Sequence, residues 1–200
     1  MEQLAKTLVL TTECSAGCSQ CPFSNRNMIK RHLPVKKALQ ILAESSESLV
    51  VVSGGEPFEY VEIHSLLESL EYGVVPFRIA TGGHVDLAPF IPKLKKLQAL
   101  QGISLGTDVL TAKVNPDRRL PEVWQKNVYA LQKVGIPISI TVTVVDDAAE
   151  IQSIYEFIKR HGIRPQFFYI RSHPDFRSEV QDLLRTDYPN TFQIVDELIF

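Results

Sequence analysis

The chain has 200 residues and carries 21 Lys plus Arg against 23 Asp plus Glu, a formal net charge of −2, with 44% hydrophobic and 22% charged residues. Such values belong to a soluble globular domain and exclude a disordered tail, a collagen-like repeat and a mucin-like stalk. The balance lacks the basic signature of a nucleic-acid binder, no apolar run can span a bilayer, and Met1–Lys6 shows no signal pattern, so a cytoplasmic protein engaging neither nucleic acid nor membrane is expected.

Along the chain, short β-branched or apolar runs alternate with segments of helical spacing. Thr7–Thr12 reads as a first strand, and Pro34 then opens a helix with the stripe Ala38, Ile41, Leu42. Leu49–Ser53 is a second strand, followed by Ile63, Leu66, Leu67 and Leu70 at i, i+3, i+4, i+7 with Gly73 as C-terminal cap. Phe77–Ala80 precedes a third stripe of Phe90, Ile91, Leu94 and Leu97. Gly102–Leu105 precedes a fourth of Trp124, Val128 and Leu131, set between Pro121 and Gly135. Ile138–Val144 precedes a fifth of Ile151, Ile154, Tyr155 and Ile158, with Asp146 or Asp147 as N-cap and Gly162 as stop. Gln166–Ile170 is a sixth strand, Val180, Leu183 and Leu184 a sixth stripe, and Phe192, Val195 and Ile199 lie on a closing helix.

Alternation of this kind buries a mostly parallel sheet under helices. Six units of roughly 30 residues fill the chain, whereas an eight-fold barrel takes about 250. The expected fold is therefore α/β, a partial (β/α)6 TIM-like barrel forming one domain over residues 1–200, with the barrel in 1–185 and a helix in 186–200. Ligands of such folds bind at the carboxyl ends of the strands. Those positions here are Glu13–Cys21, Ser53–Pro57, Thr81–His84, Gly106–Asp108, Val145–Asp147 and Arg171–His173.

All three cysteines, Cys14, Cys18 and Cys21, fall on the first of these loops. They close no loop of useful size as disulfides, so clustered thiols in a reducing compartment point to metal or redox chemistry. Two readings compete. Three thiolates can hold a 4Fe–4S cluster that normally takes four, leaving one iron open to a ligand, since no fourth cysteine exists. Alternatively His32 or His64 completes a Cys-three-His structural zinc site. Spacing alone divides these evenly; a domain of this size needs no metal staple, which moves the balance to iron–sulfur.

Cys14-x-x-x-Cys18-x-x-Cys21 after the first strand, Gly54-Gly55-Glu56-Pro57 after the second, Thr81-Gly82-Gly83 after the third, and Ser104 with Asp108 around the fourth resemble the radical S-adenosylmethionine (radical SAM) enzymes. The likeness in strand–helix order covers essentially the whole chain and implies a radical SAM core. It implies that Cys14, Cys18 and Cys21 bind a 4Fe–4S cluster whose open iron is chelated by S-adenosylmethionine. The enzyme would cleave that cofactor to methionine and a 5'-deoxyadenosyl radical, which abstracts hydrogen from a substrate. Candidate cofactor-binding residues are Gln20, Phe23, Ser53, Gly54, Gly55, Glu56, Pro57, Thr81, Ser104 and Asp108. Glycines at 54 and 55 allow close backbone approach, and Glu56 either meets the ligand or locks the turn. Two departures stand out: Gln20 occupies a position often apolar, and the fifth strand Ile138–Val144 lacks the family's glycine-containing adenine motif.

His84 and Arg171 are the candidate substrate residues, Arg171 because its guanidinium fork pairs with carboxylates. No catalytic acid or base is identified. The sequence holds no further cysteines for auxiliary clusters, and an open barrel suits a large substrate. The first reading is thus a peptide or protein substrate, as for a ribosomal peptide maturase or splicease-like enzyme working with a small recognition partner protein. A glycyl-radical enzyme activase and a small-molecule radical SAM enzyme are the enzymatic alternatives, and a zinc-stabilised binding domain the non-enzymatic one. An external electron donor of flavodoxin or ferredoxin type is implied.

Overall fold

Strand β4 (Leu100–Thr107), Leu-Gln-Gly-Ile-Ser-Leu-Gly-Thr, alternates apolar with small or polar residues. A parallel sheet covered by helices on both faces reads instead as unbroken apolar runs. One covered face is what the computed structural model contains. It describes residues 6–18, 21, 23, 29–44, 49–72, 75–107, 121–144, 156, 159–160, 167–172 and 192–194. The strands are β1 (Lys6–Val9), β2 (Val50–Ser53), β3 (Phe77–Thr81), β4, β5 (Ile138–Val144), β6 (Phe167–Ser172) and β7 (Phe192–Ile194). The helices are α1 (Val35–Ala43), α2 (Ile63–Ser69), α3 (Ile91–Leu94) and α4 (Pro121–Lys133).

The strands form one sheet in the order β1-β2-β3-β4-β5-β6-β7, every pair parallel. Spatial order equals chain order, with no reversal of the kind that splits doubly wound sheets. Because parallel crossovers are right-handed, a sheet that grows in one direction puts all its helices on one side. On that side Leu8, Val50, Val52, Phe77, Ile79, Ile103, Leu105, Ile138 and Ile140 are buried with Ala38 and Leu42 of α1, Leu66 and Leu67 of α2, Leu94 of α3, and Val128 and Leu131 of α4. The opposite face is less apolar. Thr7, Val51 and Arg78 follow one another in register there, as do Ala80, Ser104 and Ser139. Among the described residues β1 pairs with β2 alone and β7 with β6 alone, so the wall is an open, partial barrel.

Four expectations are corrected. The sheet has seven strands rather than six, and Phe192–Ile194, assigned above to a closing helix over 186–200, pairs in parallel with β6. The backbone N–H and C=O groups of β6 need a partner on that side, and Phe-Gln-Ile alternates as a strand does. The third stripe yields a single turn of helix, since Pro92 at its start and Pro89 before it interrupt the ladder, and Phe90 and Leu97 are buried from flanking turns. Strand β1 ends at Val9, not Thr12, because the chain there leaves the sheet. Gly135 has φ +76 after α4, as its role as a cap requires. Glu156, Lys159 and Arg160 are helical. The remaining fifth-helix positions, Gly73 and the stripe at Val180, Leu183 and Leu184 lie outside the described residues.

Candidate active site

After β1 the chain runs on beside the turn that follows β2. Leu10 N–H donates to Ser53 O at 2.9 Å, Gly55 N–H to Thr11 O at 2.7 Å, and Glu56 N–H to Glu13 O at 2.7 Å. Side chains are impossible along this line: a Cβ on Gly54 would lie 2.5 Å from Thr11 O, and one on Gly55 only 1.9 Å from Glu13 O. Gly54 also adopts φ +146. The two glycines thus dock one loop against the backbone of the other, which sets the cysteine loop beside the Gly-Gly-Glu-Pro turn.

The cysteine loop leaves a pinched base. Thr12 N–H donates to Arg31 O (3.0 Å), Leu33 N–H to Leu10 O (2.8 Å), and Thr11 forms an antiparallel bridge with His32. Glu13 pairs with Lys30 at 2.9 Å and His32 at 3.2 Å, and hydrogen bonding to Lys30 lowers its carboxyl below the usual range. Above the base, Cys14, Cys18 and Cys21 are half-buried and form no disulfide. Gly17 turns the loop at φ +66, and Cys21 N–H donates to Cys18 O at 3.0 Å.

Two carboxylates tie this loop to the rest. Glu56 is fully buried, and its oxygens accept from Thr81 Oγ1 (2.8 and 2.9 Å), Gly82 N–H (2.9 Å) and Phe58 N–H (3.1 Å). Burial pushes its carboxyl up, against the opposing charge of His84 and these donors. Glu59, in the 3-10 turn Pro57–Glu59, accepts from Ser15 N–H (2.9 Å), from Ser15 Oγ, and from His84 Nε2 (3.1 Å). Burial alone would raise it, but bonds from His84 and Ser15 hold it below the usual carboxylate range. His84 completes the junction. Its side chain is 8% exposed, with Nδ1 at 3.6 Å from Glu56 Oε2. Burial opposes its charge, yet Cys14, Glu59 and Glu56 push it up to about 10. Gly82 makes room, since a Cβ there would stand 2.9 Å from His84 Nδ1. From behind, buried Asn127 of α4 accepts from Leu87 N–H and donates to Gly83 O and Val85 O, holding the loop that carries His84.

The structure therefore brings Cys14, Cys18, Cys21, Gly54, Gly55, Glu56, Pro57, Thr81 and His84 to the carboxyl ends of β1, β2 and β3. Glu56 locks the turn, the second of the two roles open to it from the sequence, and Thr81 serves the same lock. Ser53 pairs with Val9 at the end of β2, and Phe23 is half-buried in the cysteine loop. Ser104 is on the open face, its Oγ 3.2 Å from Thr141 Oγ1. Arg171, on β6, pairs in register with Thr143 of β5. Gln20, Asp108, Asp146 and His173 lie outside the described residues. Glu59, Ser15 and Asn127 were not anticipated; only Asn127 left a trace, as a polar residue within the apolar stripe of α4.

Glu56→Ala removes a buried acceptor from three donors at once, and unmade buried bonds of this kind destabilise. A loss of about 3 kcal/mol in a urea titration is expected.

The donor set suits an iron–sulfur cluster. Both ring nitrogens of His32 are engaged, Nδ1 with Thr11 and Nε2 with Glu13, while His64 stacks on Phe90 and meets Lys93. His32 thus has no ring nitrogen left to complete a zinc site. Among the described residues no three His, Cys, Asp or Glu side chains converge on a single ion. A cubane bonds each thiolate to a different iron, so it asks for three separated sulfurs rather than convergent ones.

A scan against protein-family models matches the radical SAM superfamily over residues 8–158. No curated protein matches the chain. Among solved structures, SuiB of Streptococcus suis bound to S-adenosylmethionine superposes with a TM-score of 0.78 at 19% identity, covering 96% of this chain and 50% of SuiB. QueE of Escherichia coli gives 0.62 at 12% identity, covering 96% of this chain and 85% of QueE. The radical S-adenosylmethionine methyltransferase TsrM of Kitasatospora setae, with cobalamin and a [4Fe-4S] cluster bound, gives 0.60 at 11%, covering 83% and 36%. The chain thus spans about half the length of SuiB. These likenesses carry the fold.

Proposed function

The chain belongs to the radical SAM superfamily, and from that membership we propose that it is an enzyme that cleaves S-adenosylmethionine reductively and turns the resulting radical on a peptide or protein. The family's cofactors are a 4Fe–4S cluster and S-adenosylmethionine. When bound, they supply one electron to the sulfonium, releasing methionine and a 5'-deoxyadenosyl radical that takes hydrogen from the substrate.

In this reading Cys14, Cys18 and Cys21 hold three irons, and the lack of a fourth cysteine leaves one position for the methionine end of the cofactor. The observation that carries it is the shared backbone ladder Gly55 to Thr11 and Glu56 to Glu13, which sets the thiols beside the Gly-Gly-Glu-Pro turn. That turn, with Ser53 and Pro57, would receive the methionine moiety through backbone atoms, since the Glu56 side chain is already engaged. Ser104 and Asp108 would take the ribose, Gln20 and Phe23 the neighbourhood of the adenine, and Arg171 a substrate carboxylate or carbonyl. The hydrogen bonds of Glu56 to Thr81, Gly82 and Phe58 hold the Gly-Gly-Glu-Pro turn in place, so that its orientation costs little when the cofactor arrives. Substrate access follows from the open wall between β1 and β7.

A peptide substrate is supported by the fold shared with SuiB, which has been seen with its precursor peptide SuiA. A small recognition protein and a flavodoxin- or ferredoxin-type electron donor are the partners this reading implies.

Anaerobic reconstitution is the test. The protein should bind about four irons per chain with the brown absorbance of a 4Fe–4S cluster. With dithionite and S-adenosylmethionine it should then release 5'-deoxyadenosine. Short peptides encoded beside the gene should accelerate that release, whereas acceleration by nucleosides or a glycyl-radical enzyme would select the alternatives. A colourless, zinc-loaded protein that leaves the cofactor intact would end the proposal.

A further inference from the structure

Between Glu13 and Glu44 the chain carries five Lys and Arg and no Asp or Glu, in a molecule whose net charge is −2. Four of these cations, Lys30, Arg31, Lys36 and Lys37, lie among the described residues, and all four are exposed. Arg31, Lys36 and Lys37 form no salt bridge there, while Lys30 pairs with Glu13. Glu62 is the second carboxylate at the border, reached through the Tyr60 hydroxyl that also donates to Leu33 O. The strip begins on the segment that pins the base of the cysteine loop. The Thr12 hydroxyl donates to Ile29 O (3.2 Å) and accepts from Arg31 N–H (2.9 Å), two residues before Cys14. Past Pro34 it continues onto α1, whose Ala38 and Leu42 are buried and whose Lys36 and Lys37 are exposed. Ile29 stands 70% exposed at its head, an apolar side chain within a charged rim, as at the centre of many interfaces.

We propose that this basic strip docks the acidic protein that delivers the electron. Electron transfer weakens steeply with distance, so a donor has to seat beside the thiols, and the strip is bonded to the residues that lead into Cys14. The donor loses one electron and the cluster gains it. Complementary charge raises the rate of such encounters by about 10-fold to 1000-fold. The contact itself stays small and short-lived, which suits a donor that leaves after each electron. A nucleic acid would find here only a short strip on a net acidic molecule. The assignment rests on the iron–sulfur reading of the three cysteines.

The experiment compares wild type with Arg31→Glu/Lys36→Glu and with Lys95→Glu/Lys96→Glu. The second pair makes the same change of net charge in the exposed turn between α3 and β4, at the amino ends of the strands. After anaerobic reconstitution, bleaching of the cluster is followed by stopped flow, with a photoreduced acidic flavodoxin as probe and dithionite as the reductant that needs no docking. At low ionic strength the Arg31/Lys36 variant should take electrons from flavodoxin about tenfold more slowly than wild type, a deficit that shrinks as salt is added. Its dithionite rate should be unchanged, and the Lys95/Lys96 variant should keep the flavodoxin rate to within about twofold. In the iron-free proteins oxidised flavodoxin should bind the Arg31/Lys36 variant about tenfold more weakly, a readout that needs no cluster. Should Arg31→Glu disturb the fold, Lys36→Glu/Lys37→Glu on α1 carries the same prediction. An unchanged flavodoxin rate, or an equal loss in the Lys95/Lys96 variant, overturns the proposal. So does a variant that keeps that rate but loses binding of a polyglutamate peptide, which would give the strip to an acidic substrate segment. Failure of wild type to take up a cluster would instead strike the reading on which the proposal stands.

Discussion

Cys18→Ala is expected to reduce bound iron from about four per chain to below about one and to bring 5'-deoxyadenosine release to background. Three thiolates are the minimum for this site, and the sequence offers no fourth cysteine to substitute. His32 does not step in, because Thr11 and Glu13 hold both of its ring nitrogens. Cys18 lies outside the buried apolar cluster, so the fold should persist. Thermal unfolding of the iron-free variant should match the iron-free wild type to within about 1 kcal/mol, the range of substitutions that open no core cavity. Cys18→Ser should lose most of its iron as well, since a hydroxyl ionises poorly beside a thiol. A variant that keeps its brown colour and its product would show that the loop is not the ligand set.

Gly55→Ala should be the most damaging of the alanine substitutions at Gly54, Gly55, Gly82, Gly83, Gly102 and Gly135. The added Cβ would lie 1.9 Å from Glu13 O and 2.5 Å from Glu13 C. Both are backbone atoms, so no rotamer change relieves the overlap. Either the Thr11–Glu13 segment or the turn has to move, and both short bonds between them, each 2.7 Å, go with it. A loss of about 5 kcal/mol in urea titrations is expected, at the far end of the range for point substitutions. Gly135→Ala is the control. Its φ of +76 is unfavourable for alanine, but nothing stands within 4 Å of the new carbon. That change should cost about 1 kcal/mol, the steric penalty of the left-handed conformation alone. Equal effects at the two glycines would mean that backbone conformation, and not the docking of the loops, explains residue 55.

Much of this site is legible before any coordinates. Cysteine spacing is local, and the ends of parallel strands share one rim, so Cys14–Cys21, Gly54–Pro57 and Thr81–His84 could be gathered from the strand pattern alone. Histidine roles were less legible. His84 reads as a residue facing substrate when only its place after β3 is known, and nothing local signals that its ring lies against Glu59 and Glu56. Glu59 gave no signal, because a carboxylate two residues after Pro57 is equally at home in solvent. Its value comes from Ser15, 44 positions earlier in the chain.

Period and composition by themselves determined the α/β alternation, the thiol loop and the glycine turn, since each is set by neighbours a few residues apart. Only the tertiary structure decided that a seventh strand closes the free edge of β6, that Glu56 braces the turn from inside, and that Gly54 and Gly55 are small for the sake of Thr11 and Glu13. Those outcomes depend on which backbone segments meet across 24 to 43 residues of chain, and nothing in a local window measures that distance.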